Sequence, residues 1–92
     1  MPVKVLIPTP LQKITEGKDT VEAQPGRVID IINELDKKYP GFAERICQDG
    51  KIRRFINIYV NEEDIRFLDG EETLVKEGDE LSIVPAIAGG KI

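Results

Sequence analysis

One segment of the chain has the apolar spacing of an α-helix, and this single helix limits the folds that the sequence can adopt. In residues 27–39, RVIDIINELDKKY, the apolar side chains recur at offsets of three, four, seven and eleven and form one stripe: Val28, Ile31, Ile32, Leu35 and Tyr39. Lys37 and Lys38 stand near the negative end of the helix dipole, and the Pro-Gly pair that follows ends the helix. We therefore expect a helix of about three turns with one buried face.

The segments on either side of this helix alternate apolar and polar residues, which is typical of β-strands. Residues 3–7 predict a first strand that ends at Pro8, and a loop leads to a short strand at residues 20–23. These two strands are expected to form a hairpin. Residues 55–61, FINIYVN, are the strongest strand pattern, and a final strand is expected over residues 80–86.

The connecting segments have weaker patterns. Phe42 and Ile46 predict a short helical turn packed on the core after the main helix, and Asp49 begins a turn. Residues 65–68, IRFL, are expected to be extended, and Leu74 is expected to fill part of the core.

The predicted order is strand, strand, helix, strand, short strand and final strand. Because one helix must cover one face of a mixed sheet, this order favours an α+β fold of the β-grasp, ubiquitin-like type. In that fold the last strand lies centrally beside the first. We expect residues 1–86 to form this domain and residues 87–92 to form a flexible C-terminal tail.

Length and charge exclude several classes of protein. A chain of 92 residues supports one modest core. Its net charge of −4 argues against the phosphate-binding surface that nucleic-acid binding requires. The sequence contains neither an apolar run long enough to span a membrane nor a signal-peptide pattern at its start. We expect a soluble, cytoplasmic protein that binds neither nucleic acid nor membranes.

The chain contains no histidine and one cysteine, Cys47. Without histidine it lacks the usual general base and the commonest metal ligand. A single cysteine cannot form an internal disulfide or a multi-cysteine metal site, and Cys47 has no partner that would suggest a catalytic thiol. Enzymes without histidine use lysine or carboxylates, but the acidic residues here are spread through turns and exposed positions, so we predict no catalytic residues and no metal site.

The predicted sheet has one face against the helix and one face open to solvent. The side chains expected to face the helix are Val3, Val5, Ile7, Ile56, Ile58, Val60, Leu81 and Ile83. Leu6, Phe55, Tyr59 and Val84 are expected on the open face, where a cluster of apolar side chains predicts a docking site for a partner protein. The alternative is that these are isolated exposed apolar residues, which are common on protein surfaces.

The chain ends in PAIAGGKI, directly after the final predicted strand. Fully extended, residues 86–90 reach about 17 Å, enough to enter the active site of another protein. Because glycine has no Cβ, Gly89 and Gly90 can pass through a narrow channel, with Ala88 and Ile87 behind them. The alternative is that the two glycines only belong to a frayed terminus.

Residues 54–90 resemble the C-terminal half of the ubiquitin-like sulfur carriers of the MoaD and ThiS type. The likeness is strongest in FINIYVNEEDIRF and VPAIAGG, extends to the opening VKVLIPTPLQ and the helix, and is greatest to the CysO-like carriers of cysteine biosynthesis. The resemblance implies a β-grasp carrier that is not an enzyme and binds no cofactor. It also implies that an E1-like enzyme uses ATP to adenylate Gly90, that a sulfur source then gives a thiocarboxylate, and that a cysteine-synthase-like enzyme accepts the sulfur.

Lys91 and Ile92 depart from the simplest members of this family, which end at the second glycine. Because Lys91 follows Gly90, the Gly90 carbonyl is part of an amide and cannot be adenylated. The resemblance implies a precursor that a JAMM-type zinc metallopeptidase cuts between Gly90 and Lys91. An expression scar and a family member that has lost the activity are the alternatives.

Two other functions fit the same fold and tail. The protein could be a ubiquitin-like modifier joined through Gly90 to lysines of target proteins, or a non-covalent interaction module that uses only the open sheet face. The pathway is also open, because cysteine, methionine, molybdopterin, thiamin and transfer-RNA thiolation all use relatives of these carriers. The resemblance favours cysteine or a related sulfur amino acid.

Overall fold

The computed structural model of the chain describes residues 2–85. Its strands and α-helices are β1 (Val3–Leu6), β2 (Thr20–Ala23), β3 (Gly26–Arg27), α1 (Val28–Lys38), α2 (Phe42–Ile46), β4 (Cys47–Gln48), β5 (Lys51–Ile52), β6 (Ile56–Val60), β7 (Glu63–Asp64), β8 (Leu74–Val75) and β9 (Glu80–Pro85). Three single 3-10 turns lie at Thr9–Leu11, Ile65–Phe67 and Gly70–Glu72.

Five strands form one mixed sheet in the order β2-β1-β9-β6-β7. β1 and β2 pair as the antiparallel hairpin that the sequence predicts, and β9 runs parallel to β1 and antiparallel to β6. The last strand is therefore central. With α1 as the one long helix among the described residues, this arrangement confirms the predicted β-grasp fold.

Helix α1 is amphipathic, as its sequence predicts. Val28, Ile31, Ile32 and Leu35 are almost completely buried. At its start, the backbone N–H of Arg27 donates to Asp30 Oδ2 at 3.2 Å, which satisfies one of the amides at the helix N-terminus. The Arg27 guanidinium forms ion pairs with Asp30 and with Glu72, so it ties the start of α1 to the segment before β8.

The core lies between α1 and one face of the sheet. Of the eight sheet residues predicted to face the helix, seven are buried and Ile56 is partly buried against the same cluster. Phe42 and Ile46 of α2 are fully buried in it, which confirms the predicted helical turn after α1. The alternating strand pattern therefore specified the buried face correctly.

Two sequence predictions are wrong. Leu74 does not fill the core, because it is 65% exposed while its neighbour Val75 is 2% exposed. In a strand successive side chains point to opposite faces, so only one of the two can be buried, and the pairing of Val75 with Gly26 places that side chain inward.

Residues 65–68 are also not an extended piece, because Ile65–Phe67 forms a 3-10 turn. The Asp64 carboxylate accepts the Arg66 backbone N–H at 2.8 Å and caps this turn, and Ile65 is buried beneath it. The only strand between β6 and this turn is β7, which has two residues and pairs antiparallel with β6. The described part of β9 ends at Pro85, so residue 86 of the predicted final strand lies outside the described residues.

Candidate partner-docking site

A row of side chains crosses the open face of the sheet at Ser82 of the central strand. The strand register places Leu6 of β1 beside Ser82 on one side and Tyr59 of β6 beside it on the other. Since neighbouring strands lie about 4.8 Å apart, Leu6 and Tyr59 stand about 10 Å apart across the small serine. The same row ends at Thr20 of β2 and Asp64 of β7. The centre of the open face is therefore low and is flanked by an aliphatic and an aromatic side chain.

Val84 lies two residues beyond Ser82 on the same face of β9 and is 43% exposed. A shallow groove of about 260 Å³ runs along this part of the sheet, with Leu6, Pro8, Ser82 and Val84 in its lining. The structure thus brings together Leu6, Tyr59 and Val84, three of the four residues predicted for the docking face. The prediction missed Ser82, which the alternation of β9 could have indicated, and Pro8, which no pattern indicated.

The fourth predicted residue, Phe55, lies directly before β6 and is 56% exposed. The pairing of β6 with β9 extends only to Ile56 and Pro85 among the described residues, so the register does not connect Phe55 to the row. The Arg54 guanidinium lies 6.0 Å from the centre of the Phe55 ring, within the range of a cation–π contact. Phe55 therefore precedes the end of β6 that pairs with Pro85, the last described residue of β9.

The predicted reactive and processing residues Ile87, Ala88, Gly89, Gly90 and Lys91 lie outside the described residues, as does Ile92. Their roles stay predictions. What the structure gives is the base of the tail: β9 is held between β1 and β6, and its last described residue, Pro85, pairs with Ile56. The segment that carries the two glycines thus begins at the centre of the sheet.

A charged pair borders the open face at the β6–β7 edge. Arg66 Nη2 lies 2.8 Å from Asp64 Oδ2 and also donates to Asn57 Oδ1 at 2.6 Å. Hydrogen bonds from the Arg66 side chain and backbone lower the pKa of the Asp64 carboxyl, so it is ionised at neutral pH. The apolar side chains of the row are therefore bordered by a polar rim in which Arg66 is paired with Asp64, and an apolar centre with a polar rim is typical of protein interfaces.

The described residues hold no cluster suited to metal or thiol chemistry. Within residues 2–85, no group of three or more histidine, cysteine, aspartate and glutamate side chains could hold a metal ion. Burial and the nearby Glu71 carboxylate raise the pKa of the Cys47 thiol, which keeps it protonated at neutral pH. No helix in this part of the chain has the length and apolarity needed to span a bilayer.

The fold and the open face define the class of protein: a ubiquitin-like β-grasp domain with a central last strand. Comparison with known proteins narrows this class. The ThiS family profile matches residues 5–90, so the chain belongs to the ThiS family.

Individual relatives are similar over almost the whole chain. The sulfur carrier protein CysO of Mycobacterium tuberculosis is 43% identical over 93 residues, which cover 98% of this chain and 100% of that protein. A chain in the crystal structure of the BexX/CysO complex of Amycolatopsis orientalis is 46% identical with a TM-score of 0.91, covering 96% of this chain and 99% of its own.

A third relative is described as a modifier. The solution structure of the small archaeal modifier protein 1 (SAMP1) from Methanosarcina acetivorans is 34% identical with a TM-score of 0.83, and the match covers 96% of this chain and 95% of that one. These likenesses confirm the β-grasp fold and the family that the sequence motifs indicate.

Proposed function

We propose that this chain is a sulfur carrier that holds sulfur as a thiocarboxylate on Gly90. The observation that carries the proposal is the likeness over nearly the full length to the sulfur carrier protein CysO. The fold supports it, because the central strand β9 leads directly into the segment that contains Gly89 and Gly90.

The proposed chemistry requires catalytic groups that a partner must supply. A carboxylate is a poor electrophile, so an oxygen of the freed Gly90 carboxylate attacks the α-phosphorus of ATP and pyrophosphate leaves. Sulfide then attacks the acyl carbon of the mixed anhydride, AMP leaves, and a thiocarboxylate remains. The chain contains no histidine to act as a general base in these steps. We assign them to an E1-like adenylating enzyme that uses ATP and a sulfur source, and propose that the chain itself is a carrier without catalytic residues or a bound cofactor.

Activation requires that Gly90 be the C-terminal residue. In the sequence Lys91 follows Gly90, so the acyl carbon is held in a peptide bond. We propose that a JAMM-type zinc metallopeptidase hydrolyses the bond between Gly90 and Lys91 and releases the carboxylate. Ile87 and Ala88 then form the part of the tail that precedes the glycines in the partner's channel.

The sulfur acceptor in this proposal is a cysteine-synthase-like enzyme, and the product is cysteine or a related sulfur amino acid. The resemblance to CysO-like carriers supports this choice of pathway, and the crystallised complex of one CysO with BexX supports a protein partner. Leu6, Tyr59 and Val84 form the apolar face on which such partners dock, with Phe55 directly before β6. The activating enzyme requires ATP, and we propose that the reaction takes place in the cytoplasm.

The proposal is tested by incubating three forms of the chain with an E1-like enzyme, ATP and sulfide, followed by intact mass measurement. The form that ends at Gly90 should gain the mass of a sulfur that replaces one oxygen. The full chain should gain it only after treatment with a JAMM-type peptidase removes two residues. A form ending at Gly90 with Gly89→Val is the control, because the branched side chain should block the channel. Failure of the form that ends at Gly90 to react would refute the carrier proposal.

A second candidate function is a ubiquitin-like modifier, which the likeness to small archaeal modifier protein 1 favours. The same adenylated Gly90 would then be transferred to a lysine amine, which displaces AMP and forms an isopeptide bond. In a cell extract with ATP, a tagged chain ending at Gly90 should form higher-mass adducts that disappear when the activating enzyme is removed. A thiocarboxylate without such adducts would favour the carrier function.

A further inference from the structure

We propose that a pocket beside β6 is a second docking site, which binds a segment of the activating enzyme that carries an acidic side chain next to an aliphatic one. We name it the arginine pocket. It has a volume of about 140 Å³, an aliphatic floor that includes Ile52, Ile56 and Ile65, and a rim that includes Arg53, Arg54 and Arg66. The identity of the partner depends on the carrier function proposed above.

Two of the three guanidinium groups have no carboxylate partner among the described residues. Arg53 donates from Nε and Nη2 to the Glu44 carbonyl oxygen at 3.2 and 3.0 Å, and from Nη1 to Gln48 Oε1 at 3.3 Å. These neutral acceptors fix the position of Arg53 but leave its charge uncompensated. Arg54 makes no hydrogen bond or ion pair within residues 2–85, and its described contact is with the Phe55 ring.

The acidic groups at the rim are already engaged. Asp64 is paired with Arg66 at 2.8 Å, and Glu71 accepts the backbone N–H of Ile52 at 3.1 Å. Glu71 keeps its negative charge, so three arginines and two carboxylates leave the pocket lining with a net charge of +1, on a protein whose net charge is −4. A positive site on an acidic surface selects a carboxylate and orients the approaching partner.

The size and floor of the pocket select a protein side chain. A cavity of about 150 Å³ is enough for a benzene-sized group, so the arginine pocket takes one aliphatic side chain and is too small for a nucleotide. Ile52 and Ile56 are only partly buried and pack against the core, so a side chain placed on them would cover apolar surface that now faces water. A partner segment with one aliphatic side chain in the pocket and one carboxylate paired with Arg53 and Arg54 would match both the apolar floor and the positive rim.

The position of the pocket connects it to the tail. Ile56 lines the pocket and pairs with Pro85, the last described residue of β9. β7 pairs only with Tyr59 and Val60, so the first part of β6 has no strand beside it on that edge within the described residues. An enzyme that receives the tail must come close to this edge, where it can contact the arginine pocket on one side of β6 and the open sheet face on the other.

The test compares charge reversal in the pocket with the same change elsewhere. Arg54→Glu and Arg53→Glu are compared with Arg45→Glu, since Arg45 is an exposed arginine of α2 that is absent from the pocket lining. Binding of the E1-like enzyme of the source organism to the full chain is measured by calorimetry, and adenylation is measured by pyrophosphate exchange with the chain cleaved after Gly90. We expect Arg54→Glu to raise KM and Kd by at least about tenfold with kcat unchanged. Arg54→Lys should recover part of the loss, and Arg45→Glu should behave as wild type.

The outcomes separate this inference from the carrier function. If the wild type is adenylated and the pocket variants match Arg45→Glu, the inference is wrong and the carrier function stands. If no form is adenylated but Arg54→Glu weakens binding, the docking site stands and the carrier function fails. If the wild type neither binds nor reacts, both fail. A dimer in sedimentation that Arg54→Glu abolishes would assign the pocket to a second copy of the chain and overturn the inference.

Discussion

At the scale of single residues, Asp36 has a larger role than its place near the end of α1 suggests. Its Oδ1 accepts the backbone N–H of Gly41 at 3.2 Å and that of Ala43 at 3.0 Å, so one carboxylate joins the end of α1 to the start of α2. These amides would otherwise lack an intrahelical partner. Because α2 contains the buried Phe42, the loss of this link should weaken the packing of the core and lower the stability of the fold.

We predict that Asp36→Ala lowers the free energy of unfolding by about 1–2 kcal/mol, which is typical for the loss of a helix-capping side chain. Urea unfolding followed by circular dichroism measures this change. Lys37→Ala, at an exposed position in the same helix, is the matched control and should change stability by less than about 0.5 kcal/mol. Equal stability of the two variants would show that the Asp36 hydrogen bonds contribute nothing.

At the scale of elements, two carboxylates hold short segments together and should make the fold sensitive to acid. Glu71, in the 3-10 turn Gly70–Glu72, accepts the Ile52 N–H of β5, and Asp79 accepts the Lys76 N–H in the turn before β9. Both hydrogen bonds lower the pKa of the carboxyl that accepts them. A carboxyl with a lowered folded-state pKa stabilises the fold above its unfolded-state pKa, near 4, and this stabilisation is lost as the pH falls through the folded-state value.

We therefore predict that the melting temperature changes little between pH 7 and about pH 5 and falls below about pH 4. Glu71→Gln and Asp79→Asn should lower the melting temperature at pH 7 and reduce its fall below pH 4, because they remove the groups that titrate. Glu62→Gln serves as the control, because Glu62 is exposed and its side chain makes no hydrogen bond within residues 2–85. A fall of the same size in all four proteins would mean that other carboxyls control the acid transition.

The long elements were predictable from sequence, and the short ones were not. α1, β1, β2, β6 and β9 each span enough residues for a clear period, and burial in the structure follows that period. β8 has two residues, so a period cannot show which of Leu74 and Val75 is buried, and the prediction that Leu74 fills the core was wrong. The 3-10 turn Ile65–Phe67 is stabilised by the Asp64 side chain, which accepts the Arg66 backbone N–H and so favours a turn over an extended strand. The spacing of apolar residues contains no information about such a hydrogen bond.

At the scale of the whole molecule, the functional surfaces depend on which strands become neighbours. The sequence indicated Leu6, Tyr59 and Val84 because strand alternation assigned each to the open face, while the register of three strands determined that they meet around Ser82. The arginine pocket was not predicted. Arg54 precedes β6 and Arg66 follows β7, and the two line one pocket only because these strands pair antiparallel. Local patterns thus give the face of a side chain, and topology gives its neighbours.

The open sheet face yields the last prediction, which separates docking from folding. Val84 is 43% exposed and lines the groove of the sheet two residues beyond Ser82, so Val84→Glu should be tolerated by the fold but should place a charge in an apolar interface. Leu74→Glu is the matched control, because Leu74 is an exposed aliphatic residue of β8, outside the five-stranded sheet. We expect Val84→Glu to raise the KM for adenylation by at least about tenfold, with a melting temperature within about 3 °C of wild type, and Leu74→Glu to leave both unchanged. If both variants react as wild type does, the partner does not use this face, and the tail together with the arginine pocket must provide the contact.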